Sequence, residues 1–160
     1  MSPNPQTRTP EPAPVSLETR NFGTLKVRPE QIIEFSPGLP GFAEYTRYVL
    51  IERSQDAPFL WLQSAQRPDL AFVVVDPALF FPDYQPARRP QVLREVGAGT
   101  PEEVKILVIV TIPPGRPQDM TVNLMGPLVI NLRTRRGRQV ILDEPGFSHR
   151  QPLLTGGSRP

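Results

Sequence analysis

This chain interrupts its own regular structure at short intervals. Twenty-two prolines and 11 glycines are spread over its 160 residues. Proline has no backbone N–H and a fixed φ, so it stops helices and interrupts sheet ladders. Helices of several turns find little room between such breaks, and many short strands joined by turns are favoured instead. At this length the chain can build one self-sufficient core, with little left for a second domain.

Phe59 to Tyr84 shows the pattern most clearly. Phe59-Leu60-Trp61-Leu62 is an apolar run, Gln66-Arg67-Pro68-Asp69 is a polar turn, and Leu70 to Val75 is a second apolar run rich in valine. Valine packs well on a pleated surface and loses rotamer freedom in a helix, so this is a strand, a tight connection and a strand. The hairpin runs into Asp76-Pro77-Ala78-Leu79-Phe80-Phe81-Pro82, an apolar knuckle held between two prolines. Pairing should stop at Asp76, leaving the aromatics on a bend. Two adjacent phenylalanines cannot easily both face inward there, so one is expected buried and the other partly exposed.

The rest of the chain reads the same way. Strands are expected from Leu17, over Phe22–Val27, Ile32–Phe35, Tyr48–Glu52, Ile106–Ile112, Met120–Leu124, Leu128–Asn131 and Arg138–Leu142. Ile106–Ile112 is apolar throughout, as in a strand buried on both faces. Arg88–Glu103 is the one helical stretch, with Pro90 suited to a first turn and Gly97 to a stop. Residues 1–14 read as a disordered Pro-rich tail, 15–153 as a single domain and 154–160 as a flexible end. The fold class is therefore all-β: a small barrel-like or sandwich domain of about ten short strands and one short helix.

Composition removes several functions. There is no cysteine, hence no thiolate nucleophile, disulfide or Cys-based metal site, and His149 is the only histidine. No Gly-rich phosphate loop or G-x-S-x-G elbow occurs. The adjacent carboxylates Glu102-Glu103 and Asp143-Glu144 would point to opposite faces if on strands, so they read as solvated turn charges. No catalytic residue, cofactor or metal is expected. The apolar runs fall short of the roughly 20 residues that span a bilayer, and residues 1–14 lack a secretory h-region. The expectation is a soluble cytoplasmic protein without membrane contact.

Two clusters invite a binding role. Arg133, Arg135, Arg136 and Arg138 could hold phosphates as the basic turn of an RNA-binding barrel. They lack the interleaved aromatics of single-strand platforms, and arginine outnumbers lysine 16 to 2 along the whole chain, so a charged, solvated hairpin tip is the plainer reading. The knuckle offers Phe80, Phe81, Asp83 and Tyr84 as partner contacts. Asn123 and Asn131, flanking Gly126-Pro127, are further candidates whose plainer role is turn hydrogen bonding.

These segments, in this order, resemble the bacterial FliW family. The resemblance is carried by Phe22-Gly23-Thr24-Leu25, Ile33-Glu34-Phe35, Gly38-Leu39-Pro40-Gly41-Phe42 and Phe59 to Ser64. It continues through Phe72 to Pro77, Asp83-Tyr84, Val108 to Pro113, Met120 to Leu124, Pro127 to Asn131 and Arg136 to Val140. It covers about residues 17–153. It implies a β-barrel-like flagellar assembly factor of the cytoplasm without catalytic activity. Such proteins bind the translational regulator CsrA, which represses flagellin mRNA, and also bind new flagellin, so that flagellin occupancy releases CsrA. CsrA and flagellin are thus the expected partners, with no direct nucleic acid and a monomer when free. Met125-Gly126 and Arg150-Gln151-Pro152 depart from the family pattern, and no contact residues carry over from it.

Overall fold

The computed structural model describes residues 13–154. The expected tail and C-terminal end fall almost entirely outside them. Eleven strands run in chain order: β1 (Val15–Thr19), β2 (Gly23–Val27), β3 (Ile32–Phe35), β4 (Arg47–Glu52), β5 (Leu60–Ser64), β6 (Ala71–Val75), β7 (Val104–Thr111), β8 (Thr121–Val122), β9 (Leu128–Asn131), β10 (Arg136–Gln139) and β11 (Gln151–Pro152). Among the described residues the one α-helix, α1, spans Pro90–Glu95.

Strands β7-β6-β5-β4-β3-β10-β9 follow one another by hydrogen bonding, and β9 returns to β7, closing a barrel. β7 makes the closure because it is the longest strand. Val108–Val110 pair with β6, while Val104–Leu107 pair with β9 on the opposite edge. Every pairing is antiparallel except β3 with β10. β8 and β11 extend the sheet from β7, and β1 and β2 form a separate hairpin.

Side chains alternate across the barrel wall, as period-two strands require. Ile33, Phe35, Tyr48, Leu62, Val74, Leu107, Leu128 and Ile130 fill the interior. Their neighbours Val75, Val108 and Val129 point outward, into a second core shared with Tyr84, Val92, Leu93, Leu142 and Leu153. Val49 points outward on another side, where Leu17 and Val27 of the β1–β2 hairpin cover it. The barrel is thus one packed cylinder with apolar cover on two flanks. Gly137 of β10 lets the wall close on Phe35: a Cβ there would lie 2.6 Å from the ring. Gly38 works similarly in the β3–β4 loop, where a Cβ would stand 2.7–2.8 Å from three backbone carbonyls.

The architecture is the all-β barrel that turn spacing implies, with several shifted boundaries. The helix is far shorter than Arg88–Glu103. Gly97 takes φ +70° just beyond it, and Pro101–Glu103 form only a 3-10 turn. The last expected strand lies two residues earlier, at Arg136–Gln139, because the β9–β10 turn is closed tightly by Arg135 at φ 59°. β7 begins before Ile106 and stops before Ile112, which is 43% exposed. Only Thr121–Val122 of Met120–Leu124 are strand, and β11 was not expected at all. Two-residue strands carry no periodicity to read.

Candidate partner-binding surface

The ladder of β6 ends where proline ends it. Asp76 accepts a hydrogen bond from the Ala78 N–H (3.0 Å), and Pro77–Leu79 make a 3-10 turn. The Asp76 carboxylate acts here as a cap on that turn. Phe80 and Phe81 follow with ring centroids 6.5 Å apart. The expectation of one buried and one partly exposed ring is met for one of the two only: both are half-buried, leaning on the outer core. The bend turns each ring obliquely onto that core. The exposed apolar side chain of the knuckle is Leu79, 62% exposed, which no pattern in the sequence singles out.

The remaining candidates divide by burial. Asp83 is exposed. Tyr84 is buried, its hydroxyl donates to the Leu124 carbonyl (2.6 Å), and the Phe147 ring meets it edge-on at 5.1 Å. Burial raises its pKa well above the ordinary tyrosine value, keeping the hydroxyl a donor. The two asparagines serve turns. Asn123 Oδ1 accepts from the N–H groups of Met125 and Gly126, both at 3.0 Å. Asn131 is fully buried; its Oδ1 accepts from Arg133 and Thr134, and its Nδ2 donates to the Val96 carbonyl (2.9 Å). Asn131 therefore presents no side-chain surface, and Tyr84 only a small part of the groove lining described below.

The start of α1 is fastened to the segment after β10. Arg89 forms a bidentate ion pair with Glu144, the outer bond between Nη2 and Oε1 measuring 2.6 Å. The same guanidinium lies 5.6 Å from the centre of the Phe147 ring. Beside the knuckle opens a groove of about 460 Å³. Asp76–Ala78, Tyr84–Arg88, Val104–Ile106 and Leu132, which is 44% exposed, are among the residues that line it.

The arginine cluster does not converge. Arg136 and Arg138 both project outward from β10 while the intervening Gly137 is buried. Arg138 pairs with Glu95 (3.3 Å) and Arg135 donates to the Gln31 carbonyl (3.4 Å). The cavity beside Arg135 and Arg136 is shared with Glu30 and Glu34, carboxylates that oppose a phosphate. His149 is exposed, in a shallow cavity with Thr111, Asn123 and Gln139. Glu103 accepts from the Gly99 N–H (2.8 Å) and Glu144 holds Arg89, so neither sits in a carboxylate pair. Among the described residues no cluster of three or more His, Cys, Asp or Glu is placed to hold a metal, and no helix is long and apolar enough to cross a membrane.

Residues 16–153 match the family model described as "FliW protein", covering the hairpin, barrel and flanking segments. The chain belongs to the FliW family. Curated FliW flagellar assembly factors agree over most of the length. That of Leptospira biflexa is 40% identical over 140 residues, 88% of this chain and 92% of its own. That of Leptospira interrogans serovar Lai is 41% identical over 140 residues, 88% and 93% of the two chains. That of Caldanaerobacter subterraneus is 38% identical over 141 residues, 88% and 93%. A crystal structure of the flagellar assembly factor FliW superposes with a TM-score of 0.77 at 32% identity, covering 87% of this chain and 96% of that one. The FliW fold is therefore the fold of this chain, barrel and flanks included.

Proposed function

We propose that this flagellar assembly factor is a non-catalytic, cytoplasmic binding protein that switches between two partners. It binds CsrA and relieves CsrA repression of flagellin synthesis; it also binds flagellin as a chaperone, and flagellin occupancy returns CsrA to its mRNA. The reading rests on one observation, the match to FliW proteins over the whole barrel and both flanks. The half-buried aromatics and exposed Leu79 of the knuckle suit it, since anchors set on a rigid bend lose little entropy when a partner covers them. A switch needs negative coupling between partners, and coupling in free energy is reciprocal: each must weaken the other by the same factor.

The test is saturable binding of purified CsrA and flagellin, each measured by calorimetry against the full chain. Both are expected to bind, and binding of neither would end the reading. Phe80→Ala or Phe81→Ala is expected to weaken one partner by about 1–3 kcal/mol. If these variants lower only the melting temperature, the knuckle is core and not contact. The RNA-binding reading through Arg133–Arg138 gains no support from a cluster that splits between Glu95, Gln31 and two neighbouring carboxylates.

A further inference from the structure

The segment after β10 crosses the outer core as an irregular strap with one tight turn. Glu144-Pro145-Gly146-Phe147 has proline at its second position and Gly146, at φ +97°, at its third, as a type II turn demands. Across it the Phe147 N–H donates to the Glu144 carbonyl (3.4 Å). Both flanks of the turn are held by backbone. The Leu142 N–H donates to the Met125 carbonyl (2.7 Å), and the Ser148 carbonyl accepts from the Leu124 N–H (2.9 Å). Between these points residues 143–147 belong to no strand or helix, and their backbone bonds to no other segment among the described residues. Two side chains fasten the turn instead. Glu144 grips the Arg89 guanidinium with both oxygens, and Phe147 meets Tyr84 edge to face beside that same guanidinium.

The ion pair is part-exposed, 27% at Arg89 and 41% at Glu144, so solutes can compete for either member. Lifting the turn breaks no ladder, and segments of that kind open at modest free energy. The latch also records what the surface beneath it accepts: a carboxylate on a planar guanidinium, and an aromatic ring three residues further on. The half-buried Phe80 and Phe81 rings pack against the same outer core as Tyr84 and Phe147, so lifting Phe147 enlarges the apolar surface of the knuckle.

We infer that residues 144–147 occupy a docking site of their own protein, as a lid that a partner segment carrying a carboxylate and an aromatic ring displaces. The inference rests on the binding role proposed above, and adds to it a surface, the chemistry of its occupant and an internal competitor. Such a competitor lowers the apparent affinity by the fraction of time the site stands open. Glu144 and Arg89 then play opposite roles within one ion pair: Glu144 competes with the partner, and Arg89 receives it. A merely structural bridge would give both residues the same role.

Calorimetry of CsrA and of flagellin against the full chain tests this, using wild type, Glu144→Ala and Arg89→Gln at a temperature where all three are folded. Glu144→Ala is expected to tighten one partner at least about threefold, and Arg89→Gln to weaken that same partner about tenfold. Phe147→Ala is expected to act in the direction of Glu144→Ala. Amide hydrogen exchange gives a reading that needs no partner. The Leu124 amide should exchange at least about tenfold faster in Glu144→Ala, with the barrel amides of Leu62 and Leu128 unchanged. If Glu144→Ala and Arg89→Gln both weaken binding, or neither alters it, the internal competitor is overturned while the binding role stands. An unchanged Leu124 amide in Glu144→Ala would overturn the latch. Binding of neither protein by wild type would remove the proposed function, and the docking site with it.

Discussion

The two faces of β7 carry opposite kinds of packing. Inward, Leu107 meets Leu62, Val74, Leu128 and Ile130 in a space from which water is excluded. Aromatic rings cross edge to face there, Phe35 against Tyr48 at 5.7 Å. Outward, Val108 and Val110 are covered by irregular segments: the knuckle, α1 and the stretch after β10, with Phe80, Phe81, Ile106 and Phe147 only half covered. One strand thus serves a closed core on one side and an incomplete one on the other. A closed barrel leaves no edges inside, so its interior can be optimised for stability alone. The flank keeps partly exposed apolar groups, as the partner switching proposed for this protein would require.

That contrast is broken most severely from within. Leu128→Ala is expected to cost about 2–5 kcal/mol, because the rigid barrel wall cannot collapse into the cavity. Gly137→Val should match or exceed it by driving a side chain into the Phe35 ring. Chemical denaturation of both variants gives the values, and partner affinity should stay unchanged wherever the fold survives.

On the flank, Tyr84→Phe is expected to cost about 1–2 kcal/mol, since it strips the Leu124 carbonyl of its only side-chain donor. Arg89→Ala should cost about 1 kcal/mol, discounted because both partners of its ion pair are part-exposed, and should do so less at high salt. Urea melts at two ionic strengths separate that charge effect from lost stacking on Phe147.

The sign reverses at one interior position. The Tyr48 hydroxyl is buried with no hydrogen-bond partner among the described residues, and desolvation, reinforced by Glu44, has its pKa pushed up to about 12. Tyr48→Phe is therefore expected to stabilise the protein by about 1 kcal/mol. A loss of stability would mean that the hydroxyl is satisfied in solution.

The smallest effect is acid-dependent. Asp56 is held below the usual carboxylate range by hydrogen bonds from the Arg53 guanidinium (2.7 Å) and then the Trp61 indole N–H (3.1 Å). A carboxylate with a depressed folded-state pKa contributes stability that is complete above its unfolded value, about 3.9, and is lost as pH falls through the folded value. Wild type should accordingly lose slightly more melting temperature than Asp56→Asn on acidification from about pH 5 to pH 3.

The interior was legible in the sequence because period-two alternation and proline punctuation act locally. The runs around Ile33, Val49, Leu62, Val74 and Leu128 announce their strands, and the end of β6 follows from Pro77 alone. The flank was legible only in part. Phe80 and Phe81 stand out by type, but the bend sets their burial, and that depends on α1 and Phe147 from distant segments. Asn131 and Tyr84 look like surface candidates until tertiary contacts at Val96 and Leu124 absorb them. Leu79 escapes sequence reasoning altogether, since its exposure is a property of the folded wall. The cluster at Arg133–Arg138, whose plainer sequence reading is a solvated hairpin tip, places Arg136 and Arg138 on the outer wall and turns Arg135 toward Gln31.

The flank's role is tested most directly by titrating CsrA into the full chain at rising flagellin concentrations, with the reverse titration alongside. The account predicts that each protein raises the other's apparent dissociation constant by the same factor, and that Phe81→Ala alters this binding while Leu128→Ala, if folded, does not. Two independent, additive isotherms would contradict it.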